Sequence, residues 1–195
     1  MKRRSALAAA LLACLPAFAA QDRVVAEFTD EESTLLGWRI VNDGVMGGLS
    51  QGRYELGKDG ILRFSGTLSL ENNGGFSSLR TGDVKMDLSG ADGVILRVKG
   101  DGRIYQIRFS TDADYRGQEM SFQAAFPTTP GEWIEVKVPF SRFSGTWRGV
   151  ELPEKVFDPA KIRRLGLQLS DKKAGPFELQ VDWIRLDRRA TATGS

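Results

Sequence analysis

The stretch Phe177-Glu178-Leu179-Gln180-Val181-Asp182-Trp183 alternates apolar residues with charged or amide residues. This period of two predicts a strand that turns one face to a core and the other to water. Four more stretches alternate in the same way, with apolar positions Val94, Leu96, Val98; Tyr105, Ile107, Phe109; Met120, Phe122, Ala124, Phe126; and Ile134, Val136, Val138. A helical stripe is absent apart from single turns expected at 31–36 and 158–162. The sequence therefore predicts an all-β fold of about ten strands in two packed sheets.

The 195 residues include 22 Gly and 7 Pro, which favours many turns between short elements. Turn residues separate the expected strands at Asn72-Asn73-Gly74-Gly75, Asp92-Gly93 and Asp101-Gly102. Neither a linker nor an internal repeat divides the chain. We expect a single β-sandwich domain at residues 24–186 and a flexible polar tail at 188–195.

The first residues carry the pattern of a leader. Lys2-Arg3-Arg4 precedes an apolar stretch at 6–15, and Ala17-Phe18-Ala19 fits a cleavage site. This pattern predicts a signal peptide at 1–19 and a periplasmic or secreted mature protein that does not span a membrane. Two alternatives remain: a lipoprotein box at 11–14, and an organelle transit peptide, since the N-terminus carries arginine and no acid.

Composition excludes several classes of function. The chain has no His, so a Ser-His-Asp arrangement and the commonest zinc ligand are absent. Cys14, the only cysteine, and three of the 27 basic residues lie in the predicted leader, so the mature domain is near neutral and without a thiol. No carboxylate pair indicates a glycosidase, and Asp112 and Asp114 lack the spacing of a calcium loop. We predict no catalytic residue, cofactor, metal ligand or nucleic-acid partner.

A glycine-rich loop at 42–50 carries apolar side chains where a plain turn would be polar. Its glycines lack the spacing and the Lys of a phosphate-binding loop. Either it is a folded connection in which Asp43 caps backbone amides, or it contacts a ligand. Arg80 can anchor a carboxylate such as Asp43, or it can meet a ligand itself.

The same residues resemble the family of complex I intermediate-associated protein 30. The segments that carry the resemblance are Asn42-Asp43-Gly44-Val45-Met46-Gly47-Gly48 with Ser50; Gly74-Gly75-Phe76-Ser77-Ser78-Leu79-Arg80; Trp133 with Pro139-Phe140 and Phe143; Arg148-Gly149; and Leu165-Gly166-Leu167 through Asp171-Lys172 and Gly175-Pro176-Phe177 to Asp182-Trp183-Ile184. The resemblance implies a jelly-roll β-sandwich of the galactose-binding-domain-like type, a fold shared with carbohydrate-binding modules. It also implies a non-catalytic role, because eukaryotic members assist the assembly of respiratory NADH:ubiquinone oxidoreductase.

We therefore expect a protein partner, bound at one edge of the sandwich. The segments 42–50, 75–80 and 144–149 are predicted to form this edge, because they combine glycine, apolar and charged residues on connections held by a rigid frame. The candidate contact residues are Asn42, Asp43, Val45, Met46, Arg80, Trp147 and Arg148.

The alternative prediction is a carbohydrate-binding module of the cell envelope, which would bind a glycan. Trp147 would then stack on a sugar ring, or the polar sheet face around Arg108 and Gln123 would bind its hydroxyl groups. Trp133 opens an alternating strand, so we expect it in the core.

Overall fold

A computed structural model of the protein describes residues 24–29 and 36–188, with the backbone alone at position 45. The predicted signal peptide at 1–19, most of the predicted tail and most of the turn expected at 31–36 lie outside these residues. The strands of the described part are β1 (Val24–Glu27), β2 (Arg39–Asn42), β3 (Gln51–Leu56), β4 (Leu62–Leu68), β5 (Ser77–Arg80), β6 (Gly93–Lys99), β7 (Ile104–Ser110), β8 (Asp114–Tyr115), β9 (Gln118–Glu119), β10 (Ser121–Pro127), β11 (Trp133–Pro139), β12 (Ser144–Trp147), β13 (Val150–Leu152), β14 (Arg164–Leu169) and β15 (Gly175–Asp187).

Two antiparallel sheets form the fold, which confirms the all-β prediction. Sheet A has the order β11-β6-β15-β4-β3, with β1 paired to β15, and sheet B has the order β13-β12-β10-β7-β14-β5-β2. The two-residue strands β8 and β9 pair only with each other. The prediction of about ten strands was too low, because strands of two to four residues are too short to show a period of two.

The alternating positions form one core between the sheets. Leu62, Phe64, Leu96 and Val98 from sheet A and Tyr105, Ile107, Phe109, Phe122 and Phe126 from sheet B are all fully buried. The polar residues between them face outward. At about 25 cal/mol per Å² of apolar surface, burial of these side chains is the main stabilising term of the fold.

Two tryptophans lie elsewhere than their patterns predicted. The register of β15 shifts between Val181 and Trp183, so the next fully buried residue is Ile184 and Trp183 is only partly buried. This bulge interrupts the alternation. Trp133 is 37% exposed because β11 is the edge strand of sheet A, and the Arg97 guanidinium lies over its ring. The expectation that Trp133 belongs to the core was wrong.

The turn expected at 158–162 is a 3-10 helix at Pro159–Lys161. Pro159 occupies its first turn, and the Asp158 carboxylate accepts a hydrogen bond from the Ala160 amide at 3.0 Å. Within residues 24–29 and 36–188, no helix has the length and hydropathy needed to cross a membrane. The same residues contain no cluster of three or more acidic or other metal-binding side chains.

Candidate functional site

Asp43 is fully buried and joins three segments of the chain. Its Oδ1 accepts a hydrogen bond from the Ser50 amide at 2.9 Å. Its Oδ2 accepts from the Ser50 hydroxyl at 2.6 Å, the Gly75 amide at 2.7 Å and the Phe76 amide at 3.3 Å. Burial alone would raise the pKa of this carboxyl, but the hydrogen bonds from Ser50, Gly75 and Phe76 lower it below its usual value. Asp43 is therefore an ionised brace, as the first of the two sequence interpretations held.

The glycines around this carboxylate are required by close packing. A Cβ on Gly48 would clash with the Asp43 carboxyl, and a Cβ on Gly74 would lie 2.7 Å from its Oδ2. Gly47 ends the 3-10 helix Asp43–Met46 with a φ of 89°, a conformation that other residues adopt at a cost. Asn42 is also a brace, because its Oδ1 accepts from the Ser77 hydroxyl at 2.7 Å and from the Gly52 amide at 3.2 Å.

We call the assembly of residues 42–50 and 69–77 the Asp43 corner. Three apolar side chains at this corner face solvent: Met46 is 58% exposed, Leu49 52% and Leu70 44%. The Asn72 side-chain amide donates to the Gly47 carbonyl at 3.2 Å and so ties the two loops together. The corner is thus a braced backbone frame that presents apolar side chains. The side chain of Val45, another predicted contact, lies outside the described structure.

Trp147 and Arg148 lie at the other edge of sheet B. They belong to a tight hairpin between β12 and β13, in which Arg148 and Gly149 have φ values of 49° and 82°. The Trp147 ring is partly buried, 5.4 Å from the Tyr115 ring, and the Arg148 guanidinium lies over the Trp147 ring at 5.0 Å from its centroid. Four strands separate β12 from β2 in this sheet. The segments 42–50, 75–80 and 144–149 therefore do not form one edge.

Arg80 does not pair with Asp43. Ser77 shares the inner face of sheet B with Leu79, and Arg80 points to the outer face because side chains alternate along β5. There it lies beside Arg108 and Arg164 around a small cavity that Ser110, Ser121 and Gly166 also line. Burial lowers the pKa of the Arg80 guanidinium; the charge of Glu119 opposes this effect, and the charges of Arg39 and Arg164 add to it.

Sequence reasoning had named Arg108 and Gln123 on this face but not Arg164, Gly166 or Gln168. The alternation of Arg164-Leu165-Gly166-Leu167-Gln168-Leu169 is visible in the sequence and predicts that these three residues share a face. Their position next to Arg80 and Arg108 depends on strand register, which the pattern does not give.

Comparison with known proteins identifies the family. A family model described as Complex I intermediate-associated protein 30 (CIA30) matches residues 26–181. The chain belongs to the CIA30 family. The match covers both sheets, so the resemblance predicted from the Asp43 corner and the β14–β15 segment is confirmed.

Curated CIA30 relatives are longer than this chain. The protein named Complex I intermediate-associated protein 30, mitochondrial, from Mus musculus is 33% identical in an alignment of 186 residues that covers 84% of this chain and 56% of that protein. The protein of the same name from Drosophila melanogaster is 24% identical over 67% of this chain and 45% of its own length. The chain spans about half the length of the curated relatives that it matches.

Solved structures confirm the predicted fold class, the galactose-binding-domain-like jelly-roll sandwich. A family 11 carbohydrate-binding module from Clostridium thermocellum, in complex with a β-1,3-1,4-mixed-linked tetrasaccharide, superposes with a TM-score of 0.59 at 17% identity, over 78% of this chain and 89% of that chain. The family 11 module of the cellulosomal cellulase Lic26A-Cel5E superposes with a TM-score of 0.60 at 16% identity, over 78% of this chain and 88% of that chain. At these identities the likeness concerns the fold alone.

The predicted periplasmic or secreted location is wrong. The CIA30 relatives from Mus musculus, Drosophila melanogaster and Neurospora crassa are mitochondrial proteins by name, which points to an organelle. A basic, acid-free and apolar N-terminal segment is typical of an export leader, but transit peptides are also basic and poor in acids. The organelle alternative considered for the leader fits these relatives.

Proposed function

We propose that this chain is a non-enzymatic binding module that assists the assembly of respiratory complex I by binding a protein partner at the Asp43 corner. The observation that carries the proposal is the bracing of the corner: four hydrogen bonds to the buried Asp43 carboxylate fix a loop on which Met46 and Leu49 stay more than half exposed. Membership of the CIA30 family supports the choice of partner.

A fixed apolar corner suits protein binding for an energetic reason. A loop that must order on binding loses conformational entropy, and a loop already held by buried hydrogen bonds loses less. Met46 adds an adaptable apolar surface, since an unbranched thioether fits varied partner shapes. The described residues hold no group of three or more acidic, histidine or cysteine side chains that could bind a metal ion.

The test is capture of complex I subunits by tagged full-length protein from respiring cells. The double variant Met46→Ser, Leu49→Ser should lose at least about tenfold of the captured subunits, because truncating exposed anchors at an interface costs 1 kcal/mol or more each. Val150→Ser is the matched control: Val150 is 53% exposed, but it lies at the far edge of sheet B. Equal capture by the double variant and wild type, with unchanged melting temperatures, would contradict the proposal.

Carbohydrate binding is the second candidate, favoured by the amide-rich outer face of sheet B. Gln106, Gln123 and Gln168 lie on adjacent strands there with Arg108, and such side chains can bind sugar hydroxyls. The outward strand positions of this face, as far as the structure describes them, include no aromatic residue for stacking. Calorimetric titration with a mixed-linked β-glucan tetrasaccharide tests the candidate, and binding that Gln123→Ala abolishes would establish it.

A further inference from the structure

A glycine lies between two arginines in one row of sheet B. Gly166 on β14 pairs with Arg80 on β5 and with Arg108 on β7, so the three residues occupy neighbouring strands on the outer face. Strands in a sheet are about 4.8 Å apart, which puts the Cα atoms of the two arginines about 10 Å apart. Because Gly166 has no side chain, the two arginine side chains border a gap with a backbone floor.

The gap is part of the cavity lined by Arg80, Arg108 and Arg164. A Cβ on Gly166 would lie 3.0 Å from the Leu79 carbonyl oxygen and 3.3 Å from the Arg80 Cγ, which is tighter than an ordinary contact. The hydroxyls of Ser110 and Ser121, 3.4 Å apart, line the same cavity. The arginine side chains and these two hydroxyl groups thus share a small space.

The arginines of this gap have little counter-charge in the chain. Within the described residues, no hydrogen bond or ion pair reaches the Arg80 guanidinium, and its Nε is buried. Arg108 donates to the Gln168 side-chain oxygen, which is an uncharged acceptor. Burial, and then the charge of Arg80, lower the pKa of Arg108 to about 10.

Glu119 is the one carboxylate that the described structure brings to this cluster, and it is already engaged. It forms an ion pair with Arg164 and accepts a hydrogen bond from the Ser110 hydroxyl at 3.2 Å. The Gln168 side chain is itself fixed by a hydrogen bond, because its amide donates to the Gln106 side-chain oxygen at 3.3 Å. The two linked amides orient the Arg108 guanidinium, which donates to Gln168. The cluster therefore keeps a positive charge that its own residues do not neutralise.

Buried charge without a counter-charge is costly, and a bound anion removes that cost. The guanidinium group presents planar pairs of N–H donors that match a carboxylate or a phosphate. We infer that the gap between Arg80 and Arg108 over Gly166 is a binding site for one oxyanion group, either a carboxylate or a phosphate. This site does not depend on the function proposed for the Asp43 corner.

The experiment uses full-length protein labelled with nitrogen-15 and follows the arginine Nε–H resonances at constant ionic strength. Inorganic phosphate is titrated in one series and glutarate in another. We expect saturable shifts of the Arg80 and Arg108 resonances with at least one of them. Tighter binding of glutarate identifies a carboxylate ligand, and tighter binding of phosphate identifies a phosphorylated one.

Variants separate a shaped site from general charge attraction. Arg80→Gln and Arg108→Gln should each raise the dissociation constant at least tenfold, whereas Arg97→Gln, which removes an arginine of sheet A that pairs with Asp182, should leave it unchanged. Gly166→Ala removes no charge and should also weaken binding about tenfold by narrowing the gap. It keeps the test valid if an arginine variant fails to fold. Absence of a saturable shift below about 10 mM of either anion, or equal shifts in Arg80→Gln, Gly166→Ala and wild type, would overturn the inference.

Discussion

Arg103 and Arg80 are both largely buried arginines near sheet B, but their surroundings differ completely. Arg103 forms a two-pronged ion pair with Asp171, through Nε to Oδ2 at 3.0 Å and Nη2 to Oδ1 at 2.6 Å, and it also donates to the Pro176 carbonyl at 2.9 Å. Among the described residues Arg80 has no such acceptor. Arg103 stabilises the fold by joining two segments of the chain. Arg80 lowers the stability of the fold, and its place is accounted for by the anion that we infer it binds.

The largest effect should follow removal of the satisfied arginine. Arg103→Met leaves Asp171, whose side chain is only 8% exposed, as a buried carboxylate without its cation. Breaking such a pair from one side costs about 3 kcal/mol of unfolding free energy. Urea denaturation of the variant and wild type measures this loss. A loss below about 1 kcal/mol would show that Asp171 is well solvated and would weaken the contrast with Arg80.

Asp43→Asn applies the same reasoning to the carboxylate of the Asp43 corner. The amide keeps the shape but loses the charge that four donors bind, so we expect a loss of about 2 kcal/mol in unfolding free energy. Asp59→Asn is the control, because Asp59 pairs with Arg63 at the exposed surface, and its melting temperature should stay close to wild type. If Asp43→Asn and Asp59→Asn have the same melting temperature, Asp43 does not brace the corner.

Acid should destabilise the fold through the same carboxylates. For both Asp43 and Asp171 burial would raise the pKa, but their hydrogen bonds lower it below the usual value of 3.8. Because the pKa of each carboxyl is lower in the folded state, its ionised form contributes its full stabilisation at pH values above the unfolded pKa of 3.8. This stabilisation is lost as the pH falls through the pKa values of the folded state. Urea midpoints measured from pH 7 to pH 2 should decline below about pH 4, and Asp43→Asn should make this decline shallower. An unchanged decline in Asp43→Asn would refute the assignment to Asp43.

The sequence predicted the core well because core positions follow a local period. Capping of backbone amides by Asp43, one of the two roles considered for its loop, was also visible in the sequence, because a glycine-rich loop with one acid is a local feature. Of the two roles considered for Arg80, the pairing with Asp43 was wrong, since the three-residue step from Ser77 to Arg80 reverses the face of the strand.

Other features depended on pairings between distant residues. Gly166 lies between two arginines because of the register of β14 against β5 and β7. Trp133 is exposed because β11 is an edge strand. A local pattern carries neither kind of information. The candidate anion site could therefore be found only in the folded structure.

Trp147→Ala tests whether the far edge of sheet B takes part in recognition. The ring contacts Tyr115 and Arg148, and an aromatic pair with a cation adds about 1 kcal/mol, so a modest loss of stability is expected. Because Trp147 lies across the sheet from the Asp43 corner, capture of complex I subunits should stay unchanged. Loss of capture by folded Trp147→Ala protein would move the interface to this hairpin.

The smallest effect, and the most informative for the comparison, is expected for Arg80→Met. Methionine has a similar length and no charge, and replacing a buried ion that lacks a counter-charge with an apolar side chain is often neutral or stabilising. We therefore expect an unfolding free energy within about 1 kcal/mol of wild type, on the stabilised side, when no anion is added. Added phosphate or glutarate should stabilise wild type and not the variant, since a ligand that binds only the folded state raises its stability. If Arg80→Met is instead as destabilised as Arg103→Met, Arg80 is held by the fold in the same way, and the two arginines do not differ in role.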